Sequence, residues 1–389
     1  MTMELPAIAR IAAALVAALL ISFIATPVVK SIAQMVGAVD VPKDNRRMHN
    51  HPIPRMGGLA IFLGFLLSTL IFVPMSSSMR GMLLGAVIIV ILGIFDDIYA
   101  LPALPKLLVQ IAAALVAVLH GNVIQVLSNP NIFSENPYWT LGSLAVPLSV
   151  IWIVAITNAV NLIDGLDGLA VGVATISSLT MLVIAMLVSE NVVALMMAAL
   201  AGGCIGFMPY NLNPAKIFMG DTGSTFLGFV LATVSIQGLF KFYTIISFAV
   251  PFLMLGLPLF DTCFAILRRL AKGQSPMAPD RSHVHHRLID MGFNQKQAVA
   301  ILYVISAILG LSAVVLTTSG ALKAMVLLCA LCLAGLISGK IFLSHNENHQ
   351  EKTKEKESND HAIESHDDLR DPPGGGEDGP SGKGTGEQS

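Results

Sequence analysis

Ten aspartates stand out in this chain as groups able to do chemistry: Asp40, Asp44, Asp96, Asp97, Asp164, Asp167, Asp221, Asp261, Asp280 and Asp290. Before residue 345 the only other acids are Glu4, Glu135 and Glu190. The surrounding sequence is 54% apolar and 12% charged, with a mean hydropathy of +0.73, whereas about 25% of residues are charged in soluble domains. A carboxylate next to a bilayer is expensive. Short, rigid carboxylates gathered on one side of a membrane therefore point to a site that binds cations or handles phosphate.

Three short polar segments hold most of them. In Phe95-Asp96-Asp97 the acids fall at the expected C-terminus of a helix, where the dipole disfavours negative charge by roughly 0.3–1 kcal/mol. Lys106 or a divalent metal is the expected compensation, and a solvated pair ending a helix is the plainer reading. The second segment is Asn158-Ala-Val-Asn161-Leu-Ile-Asp164-Gly-Leu-Asp167-Gly-Leu169. If helical, it sets both carboxylates on nearly one face, while the glycines let backbone approach a ligand closely. A capping role for Asp167 is the alternative.

The third segment runs from Asn211 to Ser224 and ends in Gly220-Asp221-Thr222-Gly223-Ser224. This turn is expected at a helix N-terminus, where free N–H groups and the positive dipole end favour phosphate. A hard carboxylate there suits magnesium, which keeps several waters and takes few protein ligands. Capping by Asp221, Thr222 or Ser224 is the structural alternative. A fourth region, Arg268 to Lys296, contains Asp280-Arg281-Ser-His283-Val-His285-His286-Arg287. A basic cradle for a diphosphate fits these residues better than a zinc site, because no cysteine is near and the arginines would repel the metal. A solvated loop stays open.

The elements that position these segments are apolar and long. Stretches able to cross a bilayer, roughly 17–25 residues each, fall near Ala7–Val29, Gly57–Phe72, Met82–Phe95, Leu107–Leu119, Leu141–Ile156, Leu169–Val188, Val192–Met208, Thr225–Gln237, Tyr243–Leu267, Gln297–Thr317 and Leu322–Phe342. The fold class is thus an all-α polytopic membrane protein of about eleven helices. An odd number puts the termini on opposite sides. With the N-terminus outside, thirteen Lys/Arg fall on inward loops and four on outward ones, leaving out the tail. That bias sets the loops carrying all ten aspartates in the cytoplasm.

The first span follows Glu4 rather than a cationic stretch and lacks an obvious small-residue cleavage site, so it is expected to be retained. Cys204, Cys263, Cys329 and Cys332 fall in or beside apolar spans, where packing is the expected role. Residues 1–344 are expected to form the membrane domain. Residues 345–389, rich in Glu, Lys, Asp, Gly, Ser and Pro, read as a disordered cytoplasmic tail.

Taken in order, these segments resemble the polyprenyl-phosphate N-acetylhexosamine-1-phosphate transferases. The likeness runs from about Asp40 to Gly292. Its most specific parts are Asn161 to Leu169 and Met219-Gly-Asp-Thr-Gly-Ser224, supported by Pro54-Arg-Met-Gly-Gly58 and the Asp96-Asp97 pair. The loop His283-Val-His-His-Arg287, the eleventh span and the inward tail resemble the N-acetylglucosamine branch more than the peptidoglycan branch.

The resemblance implies transfer of N-acetylglucosamine 1-phosphate from UDP-N-acetylglucosamine to undecaprenyl phosphate in the cell membrane, with release of UMP. It implies Mg2+, with Mn2+ as a substitute, held by Asp221 and Asn161. Asp96 and Asp97 are then expected to orient or deprotonate the carrier phosphate, and Asp164 and Asp167 to support the metal or nucleotide. Lys106, Asn211, Arg281, His283, His285, His286 and Arg287 are expected to hold the substrates. The partners expected are the nucleotide sugar, the lipid carrier and the bilayer, with no nucleic acid, and a homodimer is left open. A pentapeptide-bearing donor of peptidoglycan synthesis is the alternative within the family. A polytopic transporter is the alternative outside it, although transporter carboxylates lie near the bilayer midplane.

Overall fold

The computed structural model describes residues 5–41, 52–128, 136, 138–238, 246–273 and 283–318. The helices are α1 (Leu5–Met35), α2 (Gly58–Phe72), α3 (Ser77–Tyr99), α4 (Ala103–Leu119), α5 (Ala145–Leu162), α6 (Leu169–Leu187), α7 (Asn191–Asn211), α8 (Gly220–Gly238), α9 (Ile246–Met254), α10 (Gly256–Ala271), α11 (Val284–Asp290) and α12 (Gln295–Thr318). Six of the described helices are long and apolar enough to cross a membrane, and α2 and α4 are shorter apolar helices. Ten of the eleven expected stretches fall on α1 to α8, on α9 with α10, and on α12. The last, Leu322–Phe342, and the tail lie outside the described residues. The chain is an all-α polytopic membrane protein.

Helix α8 is the centre of the fold. Every residue from Thr222 to Gly238 is buried, and α2, α3, α5, α6 and α7 all pack against it. Small residues permit that packing: a methyl group on Gly58 would overlap Gly223, and one on Gly93 would overlap Thr222. Phe62 and Phe65 of α2 meet the Phe226 ring edge-on, with centroids 5.4 and 5.6 Å away, a favoured aromatic geometry.

The expected ninth span is not one continuous helix. It breaks at Leu255, between α9 and α10, and Pro258 supplies the reason. Proline has no N–H to offer the carbonyl of Met254 four residues back. That oxygen instead accepts a hydrogen bond from Ser177 Oγ of α6 at 2.9 Å, so the break leaves no stranded acceptor.

Among the described residues, two short antiparallel strand pairs interrupt the helices. Strand β1 (Val39–Asp40) pairs with β2 (Ile53–Pro54), and β3 (Val126–Ser128) pairs with β4 (Tyr138–Thr140). The first pair sits where α1 hands over to α2. Its strand β2 is tied sideways to the approach to α8, since Phe218 N donates to Pro54 O at 2.8 Å.

Candidate active site

The end of α3 and the start of α8 meet through Asp97. Its Oδ1 accepts the Asp221 N–H at 2.9 Å, and its Oδ2 accepts the Thr222 N–H at 3.1 Å and the Thr222 hydroxyl at 2.6 Å. A carboxylate therefore caps the positive end of α8 from another helix. The preceding Gly220 has φ +72, and a side chain there would collide with the Asp97 carboxyl. The N–H groups of Asp221 and Thr222, expected to be free for phosphate, are thus already taken.

Asp96 is compensated as the sequence led us to expect. Lys106 Nζ lies 2.8 Å from its Oδ2 and 3.4 Å from Asp221 Oδ2, while the Leu101 N–H donates to its Oδ1 at 2.7 Å. Lys106 so links the acid at the end of α3 with the acid at the start of α8.

Residues 163–168 form turns rather than a helix, and α6 begins only after Gly168, whose φ is +80. The helical one-face arrangement considered for Asp164 and Asp167 is therefore absent. Asp167 does not cap α6. It accepts instead from Asn213 Nδ2 and from the Ala215 N–H, both at 3.0 Å, and Asn213 also donates to Gln295 Oε1 at 2.7 Å. Asn161, at the end of α5, accepts the Ser224 hydroxyl at 2.6 Å. Asp164 keeps part of its surface open to a cavity. Burial, then the negative charge of Asp221 and, more weakly, those of Asp97 and Asp167, push it up to about 8 against the pull of Arg55.

The histidines are organised by Asp261 of α10. Its Oδ2 pairs with His283 Nδ1 at 2.9 Å and its Oδ1 accepts the Val284 N–H at 2.9 Å. The His283 and His285 rings stack with centroids 5.8 Å apart, and His286 follows at 4.2 Å from His285. His285 is only 3% exposed and packs against Gly165, where a methyl group would collide with its ring. Burial, helped by His286 and His283 and opposed by Asp261, lowers its pKa to about 4. It is therefore a neutral imidazole at physiological pH.

A cavity of about 560 Å³ joins these parts, within the usual range for a small-molecule site. Of the expected residues, Asn161, Asp164, Asp167, Asn211, Asp221, His283, His285 and His286 line it. Asp96, Asp97 and Lys106 stand behind that lining and act on it through Asp221. Arg287 is exposed and outside the lining. The helical repeat explains this, because His285 with Ile289 and His286 with Asp290 are spaced four apart on the cavity face, which turns residue 287 away. Arg281 lies outside the described residues. Asp40, Asp261 and Asp290 stood among the ten aspartates without a role; Asp40 and Asp290 lie in the wall and Asp261 supports His283. Sequence reasoning missed Arg55, Phe218 and Gln295 in the wall altogether. Only Arg55, within Pro54-Arg-Met-Gly-Gly58, carried a local signal.

The chain is similar to known proteins. The pattern of glycosyl transferase family 4 matches residues 79–239, the stretch that supplies Asp96, Asp97, Asn161, Asp164 and Asp221. A relative from Bacillus subtilis, named a probable undecaprenyl-phosphate N-acetylglucosaminyl 1-phosphate transferase, is 43% identical over 311 residues, covering 80% of this chain and 86% of its own. The decaprenyl-phosphate N-acetylglucosaminephosphotransferase of Mycobacterium tuberculosis is 35% identical over 74% of this chain and 77% of its own. The undecaprenyl-phosphate alpha-N-acetylglucosaminyl 1-phosphate transferase of Escherichia coli O157:H7 is 28% identical over 80% and 85%. The chain thus belongs to glycosyl transferase family 4, among the polyprenyl-phosphate N-acetylhexosamine-1-phosphate transferases.

Proposed function

We propose that this enzyme transfers N-acetylglucosamine 1-phosphate from UDP-N-acetylglucosamine to undecaprenyl phosphate. The products are UMP and undecaprenyl-diphospho-N-acetylglucosamine, the first membrane intermediate of a cell-envelope glycan. An oxygen of the carrier phosphate attacks the sugar-linked phosphorus, and the bond from that phosphorus to the bridging oxygen breaks, leaving the oxygen on UMP. The observation that carries this reading is a cavity lined both by Asn161, Asp164 and Asp221 and by His283, His285, His286 and Arg55.

The residues present fit a magnesium ion. Asp221, Asp164 and the Asn161 carbonyl offer hard oxygen donors, and the Asn161 oxygen has a second lone pair besides the one taken by Ser224. Burial, and after it the neighbouring carboxylates, raise Asp164, and a divalent cation would stabilise its charged form. Among the described residues no three of His, Cys, Asp and Glu form a metal cluster, which suits an ion that takes most of its ligands from phosphate and water. Such an ion would neutralise charge on the reacting phosphates.

The chain's own residues have distinct tasks. Asp97 fixes the start of α8 and so the direction of Asp221, while Lys106 restrains Asp96 and Asp221. His285, a neutral imidazole in the cavity wall, can donate a hydrogen bond to phosphate without adding charge. A phosphate monoester has its second pKa near ~6, so the acceptor is mostly a dianion at neutral pH and needs no strong base. We assign the cavity to the cytoplasmic face of the cell membrane, with the N-terminus outside. The Lys/Arg bias supports that orientation.

The test is UMP release from purified protein given magnesium, a polyprenyl phosphate and a panel of UDP-sugars. UMP from UDP-N-acetylglucosamine alone is expected. Release from the pentapeptide-bearing donor would move the chain to the peptidoglycan branch, and uptake into sealed vesicles without UMP would make it a transporter.

A further inference from the structure

The cavity is rich in acidic side chains. Asp40, Asp164, Asp167, Asp221 and Asp290 line it, and Arg55 is the single lysine or arginine among its described lining residues. His285, held neutral by burial, does not redress that balance. Phosphates entering such a space need a fixed cation.

Arg55 is built for that place. Its backbone N–H donates to Ala38 O at 2.8 Å, so the strand pair anchors it toward the end of α1. On its other side Gly57 N donates to Phe218 O at 2.9 Å and Gly58 N to Met219 O at 2.8 Å. The segment is therefore laced to the residues that lead into Asp221. Between them Met56 takes a left-handed φ of 78, which is rare for a residue with a long side chain. Its side chain is buried with Ala33 and Ala38, and that burial offsets the cost of the turn.

The guanidinium itself is incompletely satisfied. Arg55 Nε is buried and has no hydrogen-bond partner. Among the described residues its carboxylate neighbour is Asp97, whose Oδ1 is 3.9 Å away, beyond hydrogen-bond length. A buried charged donor without an acceptor is costly. The rest of the side chain is 39% exposed and borders the cavity. A guanidinium is always charged, and its forked donors match the oxygens of a phosphate.

We propose that Arg55 is a substrate-binding residue whose guanidinium grips non-bridging phosphate oxygens in the cavity, beside Asp164 and Asp221. The inference rests on the phosphotransfer reading and deepens it. The phosphate belongs either to the nucleotide sugar or to the lipid carrier, and the kinetics separate these sources. A rise in the KM for UDP-N-acetylglucosamine assigns it to the donor, and a rise in the KM for polyprenyl phosphate assigns it to the carrier.

The experiment compares wild type, Arg55→Lys and Arg55→Ala in detergent, with melting temperature measured alongside. Arg55→Ala is expected to lose roughly ten- to a hundredfold in kcat/KM, the value of a charge-assisted hydrogen bond. Arg55→Lys should lose less, and added guanidinium ion should restore part of the activity of Arg55→Ala, which a purely structural role would not allow. A kcat/KM for Arg55→Ala within about twofold of wild type, or a loss that neither lysine nor guanidinium recovers, overturns the proposal. If wild type releases no UMP, the phosphotransfer reading fails separately. Arg55 is then judged by titrating UDP and a polyprenyl phosphate: tighter binding of either by wild type than by Arg55→Ala keeps it, and equal binding of both removes it.

Discussion

The Asp97 carboxylate receives the backbone N–H of Asp221 at 2.9 Å, although the two residues are 124 positions apart. With the Thr222 N–H and hydroxyl on its other oxygen, Asp97 is committed on both sides to holding α8. Asp97→Ala should therefore lower stability as well as turnover, by about 1–3 kcal/mol for each buried donor it strands. Thermal unfolding in detergent checks this; an unchanged melting temperature with activity abolished would give Asp97 a chemical task instead. The same commitment argues against an aspartyl-phosphate intermediate. Quenched-flow assays with donor, magnesium and no lipid should show no burst of UMP.

Asp221 shows the opposite pattern. Its carboxylate meets Lys106 at 3.4 Å and the Asp96 carboxyl beside it, so Asp221→Ala should fold and insert normally while losing about 10²–10³-fold in kcat, the scale of one electrostatic contact to a transition state. A magnesium titration of Asp221→Asn should show a raised metal requirement. Wild-type metal dependence in that variant would remove Asp221 from the metal role.

His285 makes a prediction about pH. Its folded value of about 4 lies below the ordinary 6.5, so the unfolded chain takes up the proton first as pH falls. The stability contributed by the neutral ring is whole above about pH 6.5 and is lost between there and about pH 4. His285→Gln should flatten the fall in melting temperature over that window, and an unaltered slope would contradict the assignment. His286 is less buried and lines the same cavity. His286→Ala should therefore raise the KM for donor, by roughly tenfold, more than that for the lipid phosphate.

Much of the site was legible because its chemistry is local in sequence. The runs Asn161 to Leu169 and Gly220 to Ser224 each bring several functional groups within one turn or loop, and the compensation of Asp96 by Lys106 needed only the helix dipole and a short spacing. What escaped was tertiary. Nothing near Gly220 in sequence says that Asp97 will occupy the N–H groups of α8, and nothing near His283 names Asp261 as its partner. Helical repeat alone separates His285 and His286 from Arg287, but only once α11 is known to be helical. Likewise Pro258 marks a weak point in the ninth span, whereas the Ser177 hydroxyl that makes a break tolerable comes from α6.

In this reaction the sugar moves together with its phosphate. The decisive measurement uses UDP-N-acetylglucosamine labelled at the phosphorus attached to the sugar, incubated with the enzyme, magnesium and undecaprenyl phosphate. The label is expected to pass to the lipid fraction, with unlabelled UMP as the nucleotide released. Label leaving in UDP, with the sugar alone on the lipid, would rule this transfer out.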